Sequence, residues 1–192
     1  MLIDERVARL TESIAVLRKL WSGETASHHG RFFSFEDVRM LPPPRQVGGP
    51  PILCGGRSEP ALRRTGQLAD GWLSYVVTPE IYASNLAKIT LAATAAGRTL
   101  TRFGTGDLLF ARLDDSYEKA LDTATETLSV RYAMDFRQAA RRYAALGTQA
   151  QVAERIRAFH AAGARHIDLG GTLFVRAEQV DDVLPLLADL RG

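Results

Sequence analysis

The stretch Pro50–Trp72 reads PPILCGGRSEPALRRTGQLADGW, and its order of elements decides the fold class. Pro51 to Gly55 is a short apolar run of strand length. Ser58-Glu59-Pro60 has the form of a helix start, with serine in the cap position and an acid and a proline in the first turn. Ala61, Leu62, Thr65, Leu68 and Ala69 then recur at helical spacing, and a new apolar run opens at Gly71. A strand feeding a helix that feeds a strand is the βαβ unit of a parallel sheet. Gly55 and Gly56 fall on the strand-to-helix junction, where the absence of Cβ lets the backbone turn sharply and approach a ligand closely.

The alternation continues downstream. Gly71 to Val77 (GWLSYVV) reads as a strand, Thr78-Pro79-Glu80 opens a helix to about Ala96, and Gly97 closes it. Phe103 to Leu113 is the next strand, weakened in its first half by Gly104 and Gly106. Asp114, Asp115 and Ser116 open a long helical region with a break near Met134-Asp135 and a stop at Gly147. Thr148 caps a helix, Arg165 to Leu169 forms a strand, and Glu178 to Leu190 a last helix that contains Pro185. Four strand-then-helix units result, which suit a doubly wound sheet or a (β/α) barrel.

Upstream, Asp4 can cap a helix whose positions Val7, Leu10, Ile14, Leu17 and Trp21 make one apolar face, ending near Ser22-Gly23. The segment SHHGRFFSFEDVRMLPPPRQVGGPP that follows carries two short aromatic or β-branched runs and five prolines, which favour a loop excursion or small hairpin over a helix.

Composition narrows the function classes. The 24 basic and 22 acidic residues are scattered through 192 positions, without the basic stripe that marks a nucleic-acid or membrane surface. Cys54 is the single cysteine, so no internal disulfide and no thiolate metal cluster can form, which suits a reducing cytoplasm. The N-terminal MLIDERVARLTE is charged from its fourth residue, and no apolar run reaches the roughly 18 residues of a bilayer span. No targeting signal is read there, and a cytoplasmic protein is expected.

Several segments in order, RVARLTESIAVLRKLWSGE, HGRFF, LPPPRQ, PPILCGGRSEPALRRTGQLADGW, TPEIYASNLAKI and GTQAQVAERIRAFHAAGARHIDL, resemble the bacterial-luciferase-like superfamily, and within it the branch of oxidoreductases that use coenzyme F-420. The resemblance covers nearly the whole chain. It implies a (β/α)8 TIM-type barrel, usually homodimeric, that transfers a hydride or activates oxygen on a small organic substrate with FMN or F-420. In that family the helix starting here at Asp4 follows the first four strands. Residues 1–192 are therefore expected to form one domain equivalent to the C-terminal half of the barrel, a half-barrel of four units with a leading helix. A complete barrel takes about 250 residues.

The resemblance assigns the cofactor phosphate to the loop after the first of these strands, that is to Gly55, Gly56, Arg57 and Ser58. The chemistry agrees: free N–H groups at a helix start attract an anion, and Arg57 is a bidentate donor. On spacing alone the segment also suits a plain strand-to-helix turn. His166 and Asp168 share one strand face and could make an acid/base pair, or be polar residues at a strand end. His28 and His29 are adjacent, not at the i, i+4 spacing of helical metal ligands, and no metal is expected. Trp72 and Tyr75 could line a flavin-like ring or fill core, Cys54 reads as a small buried hydrophobe, and Arg63 and Arg64 as a solvated helix face. Three functions stand: a flavin- or deazaflavin-dependent oxidoreductase; a non-catalytic cofactor-binding or assembly half-barrel; and an unrelated phosphate-binding α/β enzyme. The substrate is not legible, and a homo-oligomer is expected because four strands cannot close a barrel.

Overall fold

The computed structural model describes residues 5–169 and 184–190. Helix α1 (Arg6–Leu20) leads into an antiparallel hairpin of β1 (Ala26–His29) and β2 (Ser34–Val38). The βα alternation follows: β3 (Leu53–Cys54), α2 (Glu59–Leu68), β4 (Gly71–Tyr75), α3 (Pro79–Ala95) and β5 (Gly104–Leu108). After these come β6 (Ala111–Leu113), α4 (Tyr117–Tyr132), α5 (Arg137–Tyr143), β7 (Ala145–Gly147), α6 (Gln149–Ala161) and β8 (His166–Asp168).

Strands β3, β4, β5 and β8 form one parallel sheet in that order, and β6 pairs with β7 in a second, two-stranded parallel sheet. Parallel strands joined by helical connections make an α/β half-barrel, the one of the two arrangements open to the alternation that the family resemblance implies. Its ends are cut by local chemistry. Thr78 Oγ1 accepts the N–H of Ile81 at 3.3 Å to cap α3, and Ser116 does the same for Lys119 at the start of α4. Ala133 at φ +51° stops α4 next to the predicted Met134-Asp135 break.

Strand alternation sorts the side chains into two faces. Trp72, Ser74 and Asp107 point to the helices and are buried, in a core shared with Leu62 of α2, Tyr82 and Ile89 of α3, and Ile156 and Phe159 of α6. Leu53, Leu73, Tyr75 and Leu108 point the other way, in register with His166 and Asp168 of β8. That second face is open: Leu53 is 49% exposed and Tyr75 41%.

Three expectations are corrected. The apolar stripe of α1 is not buried: Val7, Leu10 and Leu17 are exposed, while Ile14 and Val16 are covered. Helical spacing says which residues share a face, not whether anything lies over it, and α1 meets the sheet through Ile14 packed against Cys54 and Ala69. The strand expected over Phe103 to Leu113 is two strands, because the chain leaves the first sheet at Leu109-Phe110 to pair with β7. Residues Ala145 to Gly147, read as the end of a helical region, are that partner strand. The described part of the expected final helix, Leu184–Leu190, is helical, in 3-10 form. Asp4 and residues 178–183 lie outside the described residues.

Candidate functional site

The four strands of the main sheet are parallel, so their C-terminal ends lie on one rim. In (β/α) barrels that rim carries the chemistry. The loop Gly55–Ser58 leaves β3 there. Gly56 takes φ +99°, which an L side chain rarely adopts, and a Cβ on it would come within 2.9 Å of the Ala61 Cβ. Trp72, fully buried behind the loop, donates its indole Nε1–H to the Gly56 carbonyl at 2.9 Å. The indole thus turns this carbonyl away from the rim and fixes the peptide that follows.

Arg57 donates from Nη1 to the Val76 carbonyl at 2.6 Å, so its guanidinium is anchored across the end of β4 with its remaining N–H groups free to meet a ligand. Ser58 occupies the N-cap position of α2 in extended conformation, but its side chain makes no cap hydrogen bond; the expected capping serine is corrected to a hydroxyl left at the rim. Glu59 in the first turn of α2 would repel an anion, and it is drawn aside by Lys88 at 2.9 Å. Guanidinium, hydroxyl and the N–H groups of a helix start are a donor set that suits a phosphate.

Tyr75 ends β4 on the open face, beside this loop. Its hydroxyl meets that of Tyr132, the last residue of α4. Phe110, buried, stands edge-on to both rings at 5.6 and 6.4 Å, and Phe136 stacks on Tyr132 at 5.0 Å. The next residue, Val76, holds φ +55°, an outlier for a β-branched side chain, kept in place by the Arg57 bond to its carbonyl. Burial first, then the Tyr132 hydroxyl, push the Tyr75 phenol up to about 12, against the pull of Arg131 and Arg57. It stays a neutral donor at physiological pH.

The other candidates separate. Trp72 is core, not a wall of the open face. His166 and Asp168 are both exposed on the open face, on the same side of β8. His28 binds Glu12 at 3.1 Å and His29 binds Glu36 at 2.8 Å, so the adjacent histidines serve different partners. Among the described residues no group of three or more His, Cys, Asp or Glu could hold a metal ion, and no helix is long and apolar enough to cross a membrane. Cys54 is buried, and burial pushes its thiol up, which keeps it an inert apolar group. Behind the rim, Ser74 donates to the buried carboxylate of Asp107, whose burial pushes it up to about 6.

Sequence reasoning placed Gly55 to Ser58 at the rim but missed Tyr132 altogether. It reaches Tyr75 from 57 positions away, and no spacing rule links the two. The role of Trp72 did leave a signal: a tryptophan on a strand must find an acceptor for its N–H when buried.

Known proteins share this architecture. A hydroxymycolic acid dehydrogenase of Mycobacterium tuberculosis described as F420-dependent is 33% identical over 111 residues, covering 58% of this chain and 30% of the relative. A monooxygenase of Streptomyces bottropensis has a solved structure that superposes with a TM-score of 0.75 at 23% identity, over all of this chain and 62% of that one. A riboflavin lyase solved with modified FMN and riboflavin gives 0.72 at 16% identity, over 98% and 58%. The chain thus spans under a third of that curated relative's length. The family described as luciferase-like monooxygenase matches residues 2–166, and the chain belongs to it.

Proposed function

We propose that the chain binds the phosphate-bearing end of a flavin or deazaflavin, FMN or F-420, and serves a cytoplasmic oxidoreductase or monooxygenase acting on a small organic substrate. The observation that carries this reading is the loop Gly55–Ser58. It has a left-handed glycine, an anchored arginine, a free hydroxyl and a helix start, all on the C-terminal rim of a parallel sheet. The F420-dependent relative and the FMN-bearing neighbour support the cofactor class. The bound ring would accept or supply the hydride. This chain's residues hold the phosphate, and the Leu53, Leu73 and Leu108 face keeps water from the ring.

The open face further supports a homo-oligomer, since four parallel strands cannot close on themselves. Residues 1–192 then act as one domain that completes its barrel against other chain. Fluorescence titration of FMN and of F-420 into the protein tests the binding. Saturable binding of one of them, with substrate-dependent reoxidation of its reduced form, is expected. Binding without turnover would reduce the chain to a cofactor-binding or assembly module, and no binding of either by folded protein would return the loop to a plain turn.

A further inference from the structure

We propose that Tyr75 and Tyr132 are ligand-binding residues, forming with Arg57 a corner that holds an oxyanion of a phosphate monoester. The proposal rests on the phosphate reading of the Gly55–Ser58 loop and extends it to residues from β4 and α4.

The geometry has three parts. The two hydroxyls meet each other, and a pair of phenols shares one hydrogen internally, which leaves one O–H hydrogen to donate outward. The rings cannot swing away: Phe110 stands edge-on to both, and Phe136 stacks on Tyr132. Two exposed hydroxyls held in one place by a buried aromatic floor differ from ordinary surface tyrosines, whose hydroxyls move freely in water. Finally, the corner is tied to the loop. Val76 directly follows Tyr75, its φ of +55° is strained, and its carbonyl is held by Arg57. Strain of this kind persists where the surroundings over-determine it, and functional sites are where it gathers. The bond brings the guanidinium to the strand end that presents the Tyr75 phenol, near enough for the Arg57 charge to act on that hydroxyl.

A guanidinium and a neutral phenol that donates are charge-assisted and neutral partners for one oxyanion. The aliphatic face of Leu73 and Leu108 lies on the other side of Tyr75, so the rest of a bound molecule would extend over it.

The test uses FMN, riboflavin and inorganic phosphate with wild-type protein, Tyr132→Phe and Tyr75→Phe, thermal melts confirming that each variant folds. Tyr132→Phe removes one hydroxyl and keeps the ring stack. It is expected to weaken FMN binding about 5- to 10-fold while leaving riboflavin, which lacks the phosphate, unchanged. Inorganic phosphate is expected to perturb the tyrosine ultraviolet difference spectrum of the wild type and not of either variant. Unchanged FMN affinity in both variants overturns the proposal, and so does equal weakening of FMN and riboflavin. If wild type binds no flavin but phosphate perturbs its tyrosines, the corner stands and the FMN arm of the cofactor reading falls. If phosphate perturbs nothing and no flavin binds, the corner and the FMN arm both fall.

Discussion

The carboxylate of Glu12 on α1 accepts the backbone N–H of Phe33 at 2.9 Å. The same carboxylate takes the N–H of Phe32 at 3.1 Å and faces His28 Nε2 at 3.1 Å, while Arg9 lies over both phenylalanine rings. One side chain therefore fastens the hairpin to the helix, and Gly30 has no Cβ because one would collide with that carboxylate. Gly30→Ala and Glu12→Ala should each lower Tm and speed amide exchange at Phe32 and Phe33. Burial pushes the Glu12 carboxyl up, but the two backbone N–H groups and His28 outweigh it and hold it below the usual range. A depressed acid contributes stability above its unfolded value, about 4.3, and loses it as pH falls through the folded value. Protection of the two amides in wild type should accordingly collapse on acidification, and Glu12→Gln should flatten that dependence. Amide exchange followed across acid pH is the measurement, and a wild-type profile without the acid limb would refute the clamp.

Asp107 behaves in the opposite sense. It is 1% exposed, and burial raises it from 3.8 to about 6, with the Ser74 hydrogen bond and the Arg155 charge pulling back and Tyr82 packed nearby. A raised acid makes the fold most stable below the unfolded value and weakens it as pH rises through about 6. Keeping the charge buried at pH 8 costs about 3 kcal/mol, from about two pH units at 1.36 kcal/mol each. Asp107→Asn retains a partner for Ser74 and has no charge to bury. Its Tm should exceed that of wild type by several degrees at pH 8, and the gain should vanish near pH 4. Equal melting at both pH values would place the carboxylate in a solvated environment.

How far the sequence carried is clear from particular residues. Thr78, Ser116 and Gly97 announce helix ends because capping is a local exchange between a side chain or a left-handed turn and nearby backbone. The βα alternation, and with it the rim where Gly55 to Ser58 lie, follows from such local signals. What failed is non-local. Ala145 to Gly147 is a strand only because β6 lies beside it, and Val7 and Leu10 are exposed because no element among the described residues covers their face. Trp72 reads as a ring contact or as core, and strand parity decides for core, sending it to the helix side and Tyr75 to the open one. Parity was readable; which parity faced the helices was not.

The open face bears on assembly. Leu53 is 49% exposed, with Leu73, Tyr75 and Leu108 on the same side. Monomers seldom expose contiguous apolar patches beyond a few hundred Å². Light scattering after size exclusion at micromolar concentration should give a mass above the 21.1 kDa of one chain. Leu53→Glu should shift the population toward monomer, whereas Leu91→Glu, exposed on the outer face of α3, should not. A stable monomer in wild type would sink the homo-oligomer.

The loop after β3 makes separable demands on stability and binding. Arg57→Ala removes a charge-assisted donor and its bond to Val76, and should weaken FMN or F-420 binding by about 1.5–3 kcal/mol. Ser58→Ala, at a position whose side chain makes no cap bond, should leave Tm nearly unchanged and lower affinity only modestly. Gly56→Val must force a branched residue to φ +99° with its Cβ against Ala61, so both Tm and affinity should fall, and affinity more than in the other variants. Trp72→Phe keeps most of the packing on Tyr82, 4.8 Å away, but releases the Gly56 carbonyl that the indole holds. If the indole sets the loop for its ligand, this variant should lose affinity with little change in the sheet's circular dichroism. Titrations and melts on all four variants check the pattern. Wild-type affinity in Arg57→Ala would remove that residue from the site, and wild-type affinity in Trp72→Phe would show that the glycine turn holds its shape unaided.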